Sequence, residues 1–258
     1  MDIIKTETVE PHESQEAAIS TGENSEAENI FINGIKTEEP STAKEEICHM
    51  SSRLSDVTEE STKKVSSRLN EARVNNAVNE LHNEPTFAVI CSFFNKFASF
   101  LGLKPQNFLQ MEYLLSSFHQ TGHVDKELIE LHLALLRKLN FKSARANVWE
   151  KYLLKFCASS PALGSEYLQL ERYGYIHAPI STKLAILKTL CECQFDYNSK
   201  FRESVANSLK ACDLRLLPLG ADMDGLSYWY QQDRELSVRI YTEEPDDHSG
   251  GSWNLVAK

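Results

Sequence analysis

Residues 125–139 read DKELIELHLALLRKL, and the spacing inside this stretch decides the fold. Leu128, Leu131, Leu135 and Leu139 recur at steps of three and four, so they share one side of a helix, while Glu130, Arg137 and Lys138 lie off it. Asp125 offers an N-cap oxygen, and Glu127 places a negative charge in the first turn, where the helix dipole favours it. The same texture recurs on both sides. Upstream, Glu84-Pro85 opens a helix whose wide apolar face carries Phe87, Ile90, Cys91, Phe94, Ala98 and Leu101, closed by Gly102 and Pro105. A shorter helix fits Phe108 to Phe118. Downstream, helices are predicted around Trp149, Tyr152, Leu153 and Phe156, from Gly164 to Tyr173, after Pro179 and Ser181 with Leu184, Leu187, Leu190 and Cys191 inward, and from Tyr197 to Leu209. The expected fold class is mainly α, a bundle of about seven helices with short connections.

The period changes near the end. Leu226 to Gln231 and Val238 to Glu243 are aromatic and β-branched, with polar residues 232–237 between them, which predicts a small C-terminal antiparallel β-hairpin, a winged-helix-like end. Pro218 demotes the run Leu214 to Leu219 to an edge or a non-strand, and Trp253 to Val256 offers a final short strand. Along the first strand Leu226, Tyr228 and Tyr230 face one way and Ser227, Trp229 and Gln231 the other. Each face carries an aromatic, so one is expected to pack on the helices and the other to work outside. Pro218 and Gly220 are expected to fix the entry to the hairpin, with Asp222 and Gly225 shaping its turn.

Ahead of the helices the composition is different. Residues 1–83 hold a single aromatic, Phe31, and a net charge of −9, whereas residues 84–258 hold the other 23 aromatics and a net of −1. A segment so poor in apolar groups and so charged cannot offset its chain entropy, so 1–83 is expected to be a disordered acidic tail. Around 51–82, Val65, Leu69, Ala72 and Leu81 mark one weak helical face. Ile4-Lys-Thr-Glu7 recurs as Ile35-Lys-Thr-Glu38, and each has the aliphatic-Lys-any-Glu form of a SUMO acceptor, with Lys5 and Lys36 as the acceptors.

The composition and motifs also exclude several classes. No run approaches the ~20 apolar residues of a membrane span, and the start MDIIKTETVE lacks the pattern of a signal peptide. Six scattered cysteines predict reduced thiols and a cytosolic or nuclear setting. No phosphate loop, nucleophile elbow or His-Glu-x-x-His helix occurs, so the chain reads as no enzyme and calls for no cofactor. Cys191 and Cys193 point apart on a helix and read as core thiols rather than metal ligands. His119 and His123 are separated by the helix breaker Gly122. Asp222-Met-Asp-Gly225 fails the calcium-loop spacing. Arg137, Lys138, Lys142 and Arg145, with no acid among them, are the candidate DNA contacts.

Five stretches together resemble a known family. Residues 87–94 and 127–138 resemble a DDT domain. Residues 149–153 and 183–196 resemble the helical half of a WHIM region, and Leu214-Arg-Leu-Leu-Pro-Leu-Gly-Ala-Asp-Met-Asp-Gly-Leu-Ser-Tyr-Trp-Tyr230 its second half. The resemblance divides the chain into a DDT-like part, 84–160, and a WHIM-like part, 161–258. It implies a nuclear, non-catalytic accessory subunit that docks an ISWI-type ATPase and supports nucleosome assembly, spacing and transcription regulation, reaching nucleosomes and histones through the complex. It also implies Leu214, Pro218, Gly220, Asp222, Gly225, Tyr228, Trp229 and Tyr230 as the family's docking motif. The alternative reading is a DNA-binding transcription regulator whose winged-helix-like end contacts linker DNA.

Overall fold

The computed structural model describes residues 64–244 and 251–258, and the helical periods of the sequence become helices there. Residues 64–82 form α1, Pro85–Phe97 α2, Phe108–Ser116 α3, the single turn Phe118–Thr121 α4, Lys126–Lys138 α5, Trp149–Ser159 α6, Gly164–His177 α7, Ile180–Tyr197 α8, Ser199–Ser208 α9 and the short Ala211–Leu214 α10. α5 starts where its sequence says: Asp125 accepts a hydrogen bond from the Glu127 N–H at 2.7 Å. α8 is buried on most sides, with Leu184, Ile186, Leu187 and Leu190 all fully enclosed, as expected of a helix that is apolar around much of its girth. α2, α5, α7 and α9 pack on it, and α6 packs on α5 and α7, so residues on either side of 160 share one core. Phe93, Phe97, Phe195 and Phe201 interlock where α2, α8 and α9 meet, with Phe195 and Phe201 4.9 Å apart.

The folded part begins earlier than the composition suggests. α1 lies inside the stretch 1–83 expected as a tail, yet Ala77, Leu81 and His82 are buried. Of the face marked by Val65, Leu69, Ala72 and Leu81, only Leu81 packs and the other three are exposed; the face that packs runs along Asn70, Val74, Ala77, Val78 and Leu81. This is a true 3.6-residue period, written in residues too small and too mixed to stand out. Lys5 and Lys36 lie outside the described residues.

The C-terminal hairpin is the middle of a larger sheet. β1 (Gly220–Ala221), β2 (Ser227–Gln232), β3 (Val238–Glu243) and β4 (Trp253–Ala257) form an antiparallel meander in sequence order. Trp229 pairs with Tyr241, and Tyr230 with Ile240. The run Leu214 to Leu219 stays outside the sheet up to its last residue, whose N–H donates to the Tyr228 carbonyl at 2.7 Å. Pro218 lacks the donor a ladder needs, and the chain joins the sheet only once it has passed.

Candidate docking surface

The sheet is fixed to the helices by buried polar contacts, and these decide which of its faces is free. Gln231 donates through Nε2 to the Ala88 carbonyl and to Ser92 Oγ, so the face bearing Gln231, Trp229 and Ser227 looks toward α2. Asp233, 5 % exposed, accepts from the Ser237 and Glu235 N–H groups in its own turn and from the Phe108 N–H at the start of α3. Arg239, 2 % exposed, reaches the Glu112 carboxylate on α3 and stacks over the Phe108 ring, 4.4 Å from its centroid. Glu112 also accepts from His82 of α1 and lies 3.7 Å from Lys258 Nζ. Burial pushes the Glu112 carboxyl up, but the His82 hydrogen bond and the Arg239 and Lys258 charges together outweigh it and hold it below the ordinary carboxylate value.

The opposite face carries Tyr228 and Tyr230. Asp222 builds the turn before them. Its Oδ1 accepts from the Asp224 and Leu226 N–H groups, and its Oδ2 accepts from the Tyr228 hydroxyl at 3.1 Å. Gly225 closes that turn at φ 86°, a conformation side chains disfavour. Gly220, expected to be needed at the entry, has ordinary backbone and open space where a Cβ would stand, so its lack of a side chain is not what shapes the entry. Trp229 is half-buried and donates from Nε1 to Glu243 at 2.7 Å, while Tyr230 is exposed.

Between α10 and β1 the chain runs across the surface as a strap. Lys96 Nζ donates to the Asp213 carbonyl at one end, and the Leu219 N–H is tied to Tyr228 at the other. Leu214, Leu216, Leu217 and Leu219 all point to solvent, with Leu217 79 % exposed, and Met223 beyond them is fully exposed. Scattered exposed leucines are ordinary on a protein surface, whereas a contiguous apolar run marks an interaction site. The sequence singled out Leu214 and Pro218 for docking, and held Leu216, Leu217, Leu219 and Met223 only as parts of a demoted run and a longer motif. The missed signal is a leucine-rich run that fits neither the helical nor the strand period.

The candidate DNA contacts are divided. Arg137 is engaged in closing its own loop: Nε donates to the Ala144 carbonyl at 3.1 Å, and Nη1 meets Glu130 at 3.4 Å. Lys142 and Arg145 are exposed and Lys138 half-buried, and among the described residues none of the three has a carboxylate within ion-pairing distance. Cys191 and Cys193 both lie in the core, where burial pushes the thiols up. His123 bonds the Thr121 carbonyl in its loop. His132, fully buried against Trp149 and Tyr175, is pushed down to about 4 by burial and stays neutral.

These features define a class: a mainly helical protein with a C-terminal antiparallel sheet, led into by an exposed leucine-rich strap. No protein-family model matches the chain, and no solved structure matches it. It is 44 % identical over 177 residues to the human protein remodeling and spacing factor 1, covering 67 % of this chain and 12 % of that protein. The chain belongs to the remodeling and spacing factor 1-like family. It spans about an eighth of the length of the curated relative it matches.

Proposed function

We propose that this chain is the ATPase-docking part of a non-catalytic accessory subunit of a nuclear chromatin-remodelling complex, the ATPase being of the ISWI type. The complex would assemble and space nucleosomes and so influence transcription. The observation that carries this reading is the strap: Leu214, Leu216, Leu217 and Leu219 are exposed on a stretch of chain bonded near both ends, at the Asp213 carbonyl by Lys96 and at the Leu219 N–H by Tyr228. On the sheet, Tyr230 is a second exposed apolar group. Covering the leucines would remove apolar surface from water, the main driving force of protein association, and tyrosine is among the residue types that dominate interface energy.

The test is capture of a purified ISWI-type ATPase by the full chain at micromolar concentration. Leu217→Asp with Leu219→Asp is expected to weaken capture by about 2 kcal/mol or more while leaving the melting temperature unchanged, because both side chains are exposed. A folded, monodisperse chain that captures no ATPase would overturn the reading. A second reading, DNA binding, is favoured by Lys138, Lys142 and Arg145, which among the described residues have no carboxylate within ion-pairing distance. It is weakened by the capture of Arg137 and the burial of Arg239.

A further inference from the structure

A cleft of about 620 Å³ lies between α1, α4, the end of α7 and the start of α8. Arg73 of α1, His119 of α4 and His177 of α7 line it, and Glu80 is the one acid that does. Glu80 stands seven residues beyond Arg73 on α1, about 10 Å along the axis, so it borders one end of the cleft only. Phe118 and Ile176 form part of the wall.

Behind that wall Lys183 is 1 % exposed. Its Nζ lies 3.5 Å from the Phe118 ring centroid and 5.5 Å from that of Tyr175, and it donates to the Ile176 carbonyl at 3.1 Å. An ammonium has three donors, and only one finds an acceptor here. Among the described residues no carboxylate lies within ion-pairing distance of it; the Glu80 field reaches it from farther off. Burying a charge without a counter-charge is costly, and ring faces offset only part of that cost. The charges of Lys183 and Arg73 extend to His119, whose imidazole is pushed down first by its burial and then by these two cations. The first turn of the 18-residue α8 also opens on the cleft at Ile180, with no side chain capping its N–H groups, which adds a positive pole.

We infer that this cleft binds a phosphate monoester, with Arg73, His119 and His177 at its rim as donors and the buried Lys183 ammonium as counter-charge. A phosphate monoester carries close to two negative charges and three strong acceptors, which suits an exposed cation at the rim, a buried one behind the wall and two imidazoles. A DNA duplex fits less well, because its phosphates lie on a convex rod and Glu80 would meet the neighbouring ones. The inference is independent of the docking reading, since the cleft shares no residue with the strap.

The experiment follows the histidine ring signals of the full chain by NMR at constant ionic strength, titrating inorganic phosphate, a phosphoserine peptide and a short DNA duplex in turn. Phosphate is expected to move the His119 and His177 signals to saturation in the millimolar range and to raise the His119 titration midpoint, because a bound anion favours the imidazolium. Arg73→Gln is expected to weaken phosphate binding about tenfold, the worth of one charge-assisted contact. It should leave the phosphate-free melting temperature unchanged, since Arg73 is exposed. Tighter binding of the peptide than of phosphate assigns the source to a phosphorylated chain, and the reverse order to a small phosphate compound. Absence of saturable shifts, equal affinity in Arg73→Gln, or displacement of phosphate by the duplex at lower concentration would overturn the inference.

Discussion

Gly174 shows how one residue can fix the path of two helical segments. It sits inside α7 at φ 70°, ψ 167°, a region that in practice only glycine occupies, and breaks the helix one residue past the Tyr173 end read from the sequence. The break turns the next amide toward α6, where the Tyr175 N–H donates to the Glu150 carboxylate. A Cβ at Gly174 would lie 3.3 Å from Glu150 Oε1, so a larger residue meets both backbone strain and a crowded carboxylate. Gly174→Ala is therefore expected to lower stability by about 2 kcal/mol, within the cost of such a backbone conformation. Urea unfolding followed by far-UV circular dichroism measures this, and an unchanged midpoint would mean that the kink relaxes at no cost. The contrast with Gly220 is instructive: there the residue type alone suggested a requirement, and the backbone imposes none.

At the scale of elements, Glu112 joins pieces far apart in the chain: α3 carries it, α1 brings His82, β3 brings Arg239, and Lys258 approaches from the C-terminus. Removing the carboxylate leaves Arg239 buried without its partner, and breaking such a pair costs about 3 kcal/mol. Glu112→Gln is expected to destabilise the chain by that amount at pH 7 and to raise amide hydrogen exchange in α1 and β3. The pH dependence has a definite sign. The folded-state carboxyl lies below its ordinary value of 4.5, so its contribution is complete above that value and is lost as the pH falls through the folded value. The gap between wild type and Glu112→Gln should therefore narrow on acidification below about 4.5; a gap independent of pH would show that the charge is not what matters. None of this network was legible in the sequence, because its four members are local signals of nothing: a helix-face acid, a histidine in an acidic stretch and two isolated cations. What was legible had a period or a cap. The α5 stripe with its Asp125 cap, the arrest of α7 and the β2–β3 pair were all expected and are all present. Of the packed face of α1 only Leu81 was marked, because Asn70 and Ala77 do not read as apolar anchors, and composition then placed the boundary too late.

For the whole molecule, the balance of charge separates the two functional readings. The chain carries −10 overall, and residues 84–258 only −1, so no broad positive field draws it to DNA. A DNA site here would rest on Lys138, Lys142 and Arg145, with Arg137 held by Ala144 and Glu130. Neutralising three phosphates gives a slope of about −2.7 in log affinity against log salt, or a loss of about fortyfold between 50 and 200 mM. Docking through the strap buries leucines rather than charges, and apolar burial is not screened by salt. Capture of the ATPase is therefore expected to change by less than about threefold over the same range, and Lys142→Gln with Arg145→Gln should leave it unaltered. Fluorescence anisotropy with labelled duplex, run beside ATPase capture at each salt concentration, reads both slopes on one preparation. A steep slope for capture, abolished together with DNA binding by the Lys142 and Arg145 substitutions, would transfer the interaction from the strap to the loop after α5 and make the DNA-binding reading the stronger of the two.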